Sequence, residues 1–340
     1  MKSYIPIAIL AASIIISLIL ATRCFKKTMD DERHRLMHEK AQKLFLKKGY
    51  KKSVKYLNKC IKQNYDECLV LNEIGYILLS AETPEQAIEY FQKAATIKPF
   101  DALPLNNLSA AYNDIGDHEK ALSYAKRSIS IYPKGFTAWA NKANALWALE
   151  KYEDAFEAFE KTISLNPNYE FGNYAMGSLL FKLEKYDESF DYFKKYLQSN
   201  PKSIETYAYA GRILFMQEKY KEQIEMYDKV MKLDPSVPWA YQLKGNALCH
   251  LQDFESAIHY FDKAIELDPK YAEAYYEKSR VLSLYRRKEE ALEALKKAIQ
   301  YNEDYKKISW DDDALNNIKF SSEFRDMVPL IFSGEEQKSC

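Results

Sequence analysis

Small and large apolar residues recur along this chain with a period of 34 residues, much longer than the period of any single helix or strand. Six of the 11 prolines share that spacing and stand at Pro99, Pro133, Pro167, Pro201, Pro235 and Pro269. Because proline interrupts helical hydrogen bonding, each of these residues predicts the end of a helix shortly before it. The pattern therefore divides the chain into repeats, each built as one structural unit.

With the proline set as position 32, other residue types also fall at fixed positions of each repeat. Position 8 is small, with Gly75, Ser109, Ala143, Gly177, Gly211 and Gly245. Position 24 is mostly aromatic, with Phe91, Ala125, Phe159, Phe193, Tyr227 and Phe261. Two antiparallel helices that pack closely need a small residue where their backbones approach and large residues beside it. We therefore predict one helix pair in each repeat.

The same register continues beyond the outermost prolines, although Tyr65 and Glu303 replace the proline there. We predict eight repeats over residues 34–305, beginning at residues 34, 68, 102, 136, 170, 204, 238 and 272. After them, residues 306–332 are expected to form capping helices that cover the open end with Leu315, Ile318, Phe324 and Val328. Residues 333–340 are expected to be a flexible tail.

These features resemble the tetratricopeptide repeat (TPR) family, whose 34-residue helix-turn-helix motif reads W-x2-L-G-x2-Y…A-x3-F…P. The segment from Tyr241 to Pro269 fits it nearly throughout, and the resemblance covers about 80% of the chain. It implies an all-α fold, a right-handed α-solenoid of about eight TPR units. In such a solenoid the first helix of each pair lines a concave groove, through positions 2, 5, 9, 12 and 13.

The groove positions supply our candidate binding residues. Asparagine donates and accepts hydrogen bonds at once, so a row of asparagines can hold an extended peptide backbone without reading its sequence. Aromatic and arginine side chains between them are typical interface anchors. The simpler interpretation is a polar, solvated surface. The candidates are Asn72, Asn106, Asn113, Asn144, Trp147, Tyr174, Phe181, Arg212, Trp239, Asn246 and Arg280.

The resemblance also allows one specific ligand to be tested on the sequence. Chaperone-tail TPR domains hold a C-terminal carboxylate with a clamp of lysine, asparagine and arginine residues from three consecutive units. Asn141 would suit the middle unit, but Ala110 stands before it where asparagine is needed, and Phe171 and Ala175 follow where basic residues are needed. We therefore expect no chaperone carboxylate clamp.

An uncharged apolar run, Tyr4–Thr22, precedes the repeats and is long enough to cross a bilayer as one helix. We interpret residues 1–27 as a signal anchor with a basic flank and residues 28–33 as a short linker. A cleaved signal peptide and a lipoprotein signal acylated at Cys24 are the alternatives.

Residues 23–67 carry 14 Lys and Arg against 6 Asp and Glu. This surplus predicts a single-pass membrane protein with a cytoplasmic body, the alternative being an exported or periplasmic one. It also predicts contact of Lys47–Lys62 with anionic lipid.

Charge and chemistry-bearing residues point away from other functions. The net charge is +0, so we expect no nucleic-acid partner. The five cysteines include no CxxC pair and fit free thiols or small buried residues. His34 and His38 lie one helical turn apart but have no third ligand nearby in the sequence. Since no nucleotide-binding, hydrolase or metalloprotease motif occurs, we expect no enzyme, metal or cofactor.

Two functions remain open at this stage. The first is a membrane-anchored scaffold or adaptor that holds protein partners, as extended peptides or helices, in the groove. The alternative is a regulatory or substrate-targeting subunit of a membrane-associated enzyme complex. The identity of the proteins that co-purify with the chain would distinguish them.

Overall fold

The computed structural model describes residues 30–328, and within that range every regular element is helical. The all-helical prediction is therefore confirmed. The chain divides into two compact bodies, one ending at Gly172 and the other beginning at Asn173, so the division falls inside one helix. We call them the N-terminal body and the C-terminal body and describe each by itself.

The N-terminal body is a succession of helix pairs in which each helix packs against the next one along the chain. First helices of neighbouring pairs also touch one another, as α3 touches α5 and α5 touches α7. The helices are α1 (30–48), α2 (Tyr50–Lys62), α3 (Glu67–Ser80), α4 (Pro84–Ile97), α5 (Ala102–Asp114), α6 (His118–Ile131), α7 (Phe136–Ala148) and α8 (Tyr152–Leu165).

The C-terminal body continues the same arrangement and ends with short helices. Its helix pairs are α9 (Glu170–Lys182, shared with the N-terminal body) and α10 (Tyr186–Ser199), α11 (Ile204–Met216) and α12 (Tyr220–Leu233), α13 (Pro238–His250) and α14 (Phe254–Leu267), and α15 (Ala272–Leu284) and α16 (Lys288–Tyr301). Then come α17 (Asp304–Ser309), a 3-10 turn (Asp313–Leu315) and α18 (Ser322–Met327). Leu315, Ile318, Phe324 and Val328 of this last region are almost wholly buried in the core cluster that includes α15 and α16.

The small residue at position 8 lets the two helices of a pair approach closely. A Cβ atom built on Gly211 would lie 2.8 Å from the ring of Tyr227, and one built on Gly177 would lie 2.8 Å from the ring of Phe193. Both rings are fully buried, so they have no free volume into which to move. The small and large positions of the sequence pattern thus meet directly in the fold.

A second periodic feature lies in the turn between the helices of a pair. The backbone at position 15 adopts the left-handed conformation in seven repeats, at Glu82, Gly116, Glu150, Glu184, Glu218, Gln252 and Arg286. This conformation is typical of the residue that ends an α-helix, and it favours glycine. Only Gly116 is glycine here, so most of these turns carry a side chain at some cost in backbone energy.

The chain before the repeats differs from its prediction where it can be compared. Residues 30–33 were predicted as part of a linker, but they form the first turn of α1. Three acidic residues, Asp30, Asp31 and Glu32, stand in that turn, where negative charge favours the positive end of the helix dipole. Over residues 30–328 no helix is both long and apolar enough to cross a membrane. The predicted anchor Tyr4–Thr22, Cys24 and the tail 333–340 lie outside the described residues.

Candidate functional site

Two predicted groove asparagines of the N-terminal body, Asn72 and Asn106, are hydrogen-bonded to neighbouring repeats. Nδ2 of Asn107 donates to Oδ1 of Asn72 at 3.1 Å, and Nδ2 of Asn141 donates to Oδ1 of Asn106 at the same distance. Position 6 of one repeat thus bonds position 5 of the repeat before it, twice. Asn72 is only 4% exposed and also bonds its own helix at the carbonyl of Cys68. These amides are committed to holding the repeats together.

The sequence carried a signal for these bridges that the groove prediction missed. Asn107 and Asn141 stand 34 residues apart, at the same position of consecutive repeats. Asn113 is also engaged, since its Nδ2 donates to the carbonyl of Asn141 at 3.0 Å. By contrast, Asn144 is exposed, and Trp147 is half-buried with its ring edge-on to Phe159. Asn144 is therefore the accessible amide of the predicted set in this body.

Aromatic side chains dominate the first helices at the start of the C-terminal body. The ring of Tyr209 stacks on Phe193 with 5.1 Å between centroids and meets Phe181 edge-on at 5.3 Å. Tyr174 joins this cluster and donates its hydroxyl to Glu205 at 2.5 Å. Burial, together with that hydrogen bond, raises the pKa of Tyr174 above its usual value. The cluster is thus a firmly packed platform with a neutral phenol.

The Arg212 guanidinium lies over this platform, 5.1 Å from the centre of the Phe181 ring. Arg212 is exposed, and no described carboxylate lies within 4.0 Å of it. One turn further along α11, Phe215 packs edge-on against His250 of α13 at 5.4 Å. His250 in turn stacks on Tyr220 at 4.4 Å. The cation–ring contact thus joins two predicted groove residues, Phe181 and Arg212.

The remaining groove candidates have different surroundings. Trp239 is half-buried and meets the buried ring of Tyr227 edge-on at 6.4 Å. Asn246 is half-buried, and its Oδ1 is shielded from solvent without a hydrogen-bond partner among the described residues. Since a shielded acceptor without a donor is energetically costly, this amide is the best candidate for a change of partner on binding.

Arg280 is held by the capping region. Its Nε donates to Asp312 at 2.8 Å and its Nη1 donates to Glu277 at 2.7 Å. Tyr276 donates its hydroxyl to the same Asp312 oxygen at 2.7 Å. Burial raises the pKa of Glu277, while the Arg280 charge opposes that shift. Arg280, predicted as a groove residue, is thus already paired with two carboxylates in the structure. Its role in holding a peptide stays a prediction.

A separate apolar cleft of about 910 Å³ opens in the N-terminal body, where one repeat leads into the next. Its walls include Phe100, which is 88% exposed, and Tyr132, which is 56% exposed. Leu103, Ile131 and Asn106 also line it. Of these residues only Asn106 belongs to the predicted set. Leu103 also stands at a groove position, position 2, whereas Phe100, Ile131 and Tyr132 lie at the repeat junction outside the groove pattern.

The titratable residues outside the groove have local partners. Nδ1 of His34 lies 2.7 Å from the carbonyl oxygen of Asp30, and Nδ1 of His38 lies 2.8 Å from Glu73, so the two imidazoles face different partners. Within residues 30–328 no three His, Cys, Asp or Glu side chains are grouped closely enough to hold a metal ion. Burial raises the pKa of the Cys249 thiol to about 12, which keeps it protonated and unreactive.

Family models described as tetratricopeptide repeat match five stretches of the chain, which together cover more than half of it. These are residues 66–134, 136–169, 172–203, 238–271 and 260–293. The match over 172–203 lies at the repeat with the aromatic platform. No curated protein matches the chain.

Solved structures resemble the chain in fold. YrrB, described as a TPR protein with an unusual peptide-binding site, is 24% identical with a TM-score of 0.51 over 55% of this chain and 97% of its own. The C-terminal part of a TPR repeat-containing protein from Cytophaga hutchinsonii is 16% identical with a TM-score of 0.59 over 67% and 94%. PilF of Pseudomonas aeruginosa is 18% identical with a TM-score of 0.53 over 61% and 95%. At these identities the likeness concerns the fold alone.

Proposed function

Because the chain belongs to the tetratricopeptide repeat family, we propose that it is a non-catalytic adaptor that holds extended segments of partner proteins along its first helices. The observation that carries this proposal is the Arg212–Phe181 contact, in which an exposed guanidinium lies on a packed aromatic platform. Arginine and aromatic side chains in this arrangement are typical anchors of protein interfaces. The peptide-binding site of YrrB, a protein of the same fold, is compatible with this role.

The accessible amide of Asn144 supports the same role in the N-terminal body. An exposed asparagine can pair with both the N–H and the C=O of an extended backbone, which gives affinity without strict sequence selection. Asn72 and Asn106, in contrast, already bond to asparagines of the next repeat. We therefore narrow the binding role among the asparagines to Asn144 and, after a change of its partner, Asn246.

We further propose that the adaptor is anchored in a membrane by Tyr4–Thr22, with its repeats in the cytoplasm. The seven lysines of the segment Lys47–Lys62 are all exposed, and beside them Leu46 is 81% exposed. A lysine-rich surface with an apolar residue matches the chemistry of an anionic lipid headgroup layer. This surface would hold the first repeat against the bilayer.

The function is tested by affinity capture from detergent extracts with the full chain as bait. The wild type is compared with the double variant N144A/R212A and with K93A, which removes an exposed lysine outside the first helices. We expect the double variant to lose most captured partners and K93A to retain them. Unchanged capture by the double variant would contradict binding along the first helices. A single enzyme in stoichiometric amount would instead favour the regulatory-subunit alternative.

The membrane arrangement needs its own experiment. Protease added outside sealed, right-side-out vesicles should leave the repeats intact if they lie on the cytoplasmic side. Digestion of the repeats under these conditions would contradict that orientation.

The lipid contact is tested by amine-reactive labelling of Lys47–Lys62 in proteoliposomes. Labelling should be slower in vesicles that contain phosphatidylserine than in vesicles of phosphatidylcholine alone, and equal rates would contradict the lipid contact.

A further inference from the structure

One face of α11 combines three exposed side chains, and we call these residues, Arg212, Phe215 and Met216, the α11 patch. Phe215 is 40% exposed and Met216 is 57% exposed. Residues three and four positions apart on a helix are neighbours on its surface, so the three side chains form one continuous surface. Apolar groups of this size beside a charge are a common feature of binding surfaces.

The charge in this patch has no counter-ion among the described residues. Arg280, at the same repeat position two repeats later, is bonded to both Glu277 and Asp312. Arg212 instead lies over the Phe181 ring, and its guanidinium donates to no carboxylate among the described residues. A guanidinium so placed matches the two oxygens of a carboxylate, with which it can form a bidentate pair.

Within the apolar part of the patch, Phe215 is held by neighbouring rings. Phe215 packs against His250 at 5.4 Å and against Tyr220 at 6.1 Å between ring centroids. His250 stacks on Tyr220, so the three rings support one another. The exposed edge of Phe215 and the flexible Met216 together offer a surface for an aromatic or aliphatic side chain.

Resting on the proposed function, we propose that the α11 patch binds an extended peptide segment in which an acidic residue and a large apolar residue are two positions apart. On a helix, side chains one turn apart are separated by about 5–6 Å. In an extended strand, residues i and i+2 point the same way and lie about 6.5–7 Å apart. The carboxylate of such a segment therefore reaches Arg212 while its apolar side chain covers Phe215 and Met216.

Selection from a random heptapeptide library tests this specificity, with the full-length protein in detergent as the target. We expect the selected peptides to be enriched in Asp or Glu two positions from Phe, Leu or Met. A fluorescent heptapeptide with glutamate and phenylalanine two positions apart then serves as the probe in anisotropy titrations. R212A should weaken its binding at least tenfold, R212K should weaken it less, and replacing the glutamate by lysine should abolish it.

The matched control is R127A. Arg127 is also exposed and lies over a tyrosine ring, that of Tyr124 at 5.4 Å, but on α6 of the N-terminal body. R127A should bind the probe as the wild type does, and circular dichroism should show equal melting for both arginine variants. Selected peptides without acidic residues, or unchanged binding by R212A, would overturn the acidic specificity and leave the adaptor function standing. A library that yields no binding peptide at all would overturn the proposed function together with this inference.

Discussion

The hydroxyl of Ser109 donates a hydrogen bond of 2.7 Å to the backbone carbonyl of Ala121. The two residues occupy positions 8 and 20 of one repeat, and Ser279 bonds Ala291 in the same way at 2.8 Å. In other repeats the direction is reversed, since Ser189 at position 20 donates to the carbonyl of Gly177 at position 8. Serine at either position therefore fastens the two helices of a pair together.

Replacing Ser109 by alanine tests this fastening. The hydroxyl is fully buried and its hydrogen bond joins the two helices of the pair, so S109A should lower the free energy of unfolding by about 1 kcal/mol. The measurement is urea denaturation followed by circular dichroism. S123A, which changes an exposed serine on α6, is the control and should leave the midpoint unchanged. Equal midpoints for both variants would contradict a stabilising role for the Ser109 hydroxyl.

Helix spacing within a pair gives the next prediction. In G75A the new Cβ would lie closer than 3.0 Å to the buried ring of Phe91, so the pair must move apart. Overpacking of this kind costs about 1–3 kcal/mol. The double variant G75A/F91L copies the natural pair Ala41 and Leu57, both fully buried at the same positions of the first repeat.

We expect G75A/F91L to be more stable than the sum of its two single variants predicts. F91L alone removes volume beside a glycine and should itself be destabilising. Thermal melting of the four proteins of this double-mutant cycle measures the coupling. Strict additivity of the two single effects would contradict a direct contact between positions 8 and 24.

The sequence predicted the helix pairs well because a small residue at position 8 recurs with a large one at position 24, and the two meet directly in the four repeats with glycine at position 8. It predicted the surroundings of the candidate site residues less well, and Arg280 illustrates why. Its position in the repeat suits a groove, but Asp312 of the capping region, outside the periodic part, neutralises it. The exposure of Phe100 likewise depends on the junction between repeats. Contacts made outside the repeat cannot be derived from the repeat pattern.

The left-handed turn residues allow a prediction in both directions. A Cβ atom on Gly116 would meet nothing within 4 Å, so the cost of G116A is a backbone cost alone. We expect G116A to destabilise the protein by about 1 kcal/mol, because L-amino acids disfavour this conformation and achiral glycine does not. E150G makes the opposite change at the equivalent position. It should stabilise the protein by somewhat less than about 1 kcal/mol, the cost expected for G116A, because glycine also increases the conformational entropy of the unfolded chain.

E150A is the control for the glycine substitution, because it removes the side chain and keeps the strained backbone. Its stability should equal that of the wild type within about 0.5 kcal/mol, the usual range for surface changes. Urea midpoints of G116A, E150G and E150A, measured together, separate the backbone effect from the charge of Glu150. Equal stabilisation by E150A and E150G would mean that the carboxylate, and not the backbone, is unfavourable there.

The Asp66–Lys98 ion pair predicts how stability depends on pH. Partial burial disfavours the charged form of Asp66, but the hydrogen bonds from Lys98, at 2.6 Å, and from the N–H of Leu69 outweigh it and lower the pKa of Asp66. A carboxyl group with a lowered pKa stabilises the fold above its unfolded pKa of about 3.9, and this contribution disappears as pH falls through the folded value. The hydrogen bond to Asp66 also raises the pKa of Lys98. The contribution of the charged Lys98 to the stability of the fold is therefore lost only at strongly alkaline pH.

D66N isolates the charge, because asparagine caps a helix N-terminus about as well as aspartate does. We expect D66N to be less stable than the wild type at pH 7 by no more than about 1 kcal/mol, since the pair is partly exposed to solvent. Below the unfolded pKa of Asp66, the difference in the free energy of unfolding between the two proteins should shrink towards zero.

D253N is the matched control. Asp253 accepts the same kind of helix-cap hydrogen bond, from the N–H of Ser256, but has no ion pair among the described residues. Urea denaturation of the three proteins from pH 7 down to pH 3 measures the effect, and a D66N difference that stays constant over this range would contradict the assignment of that stability to the ion pair.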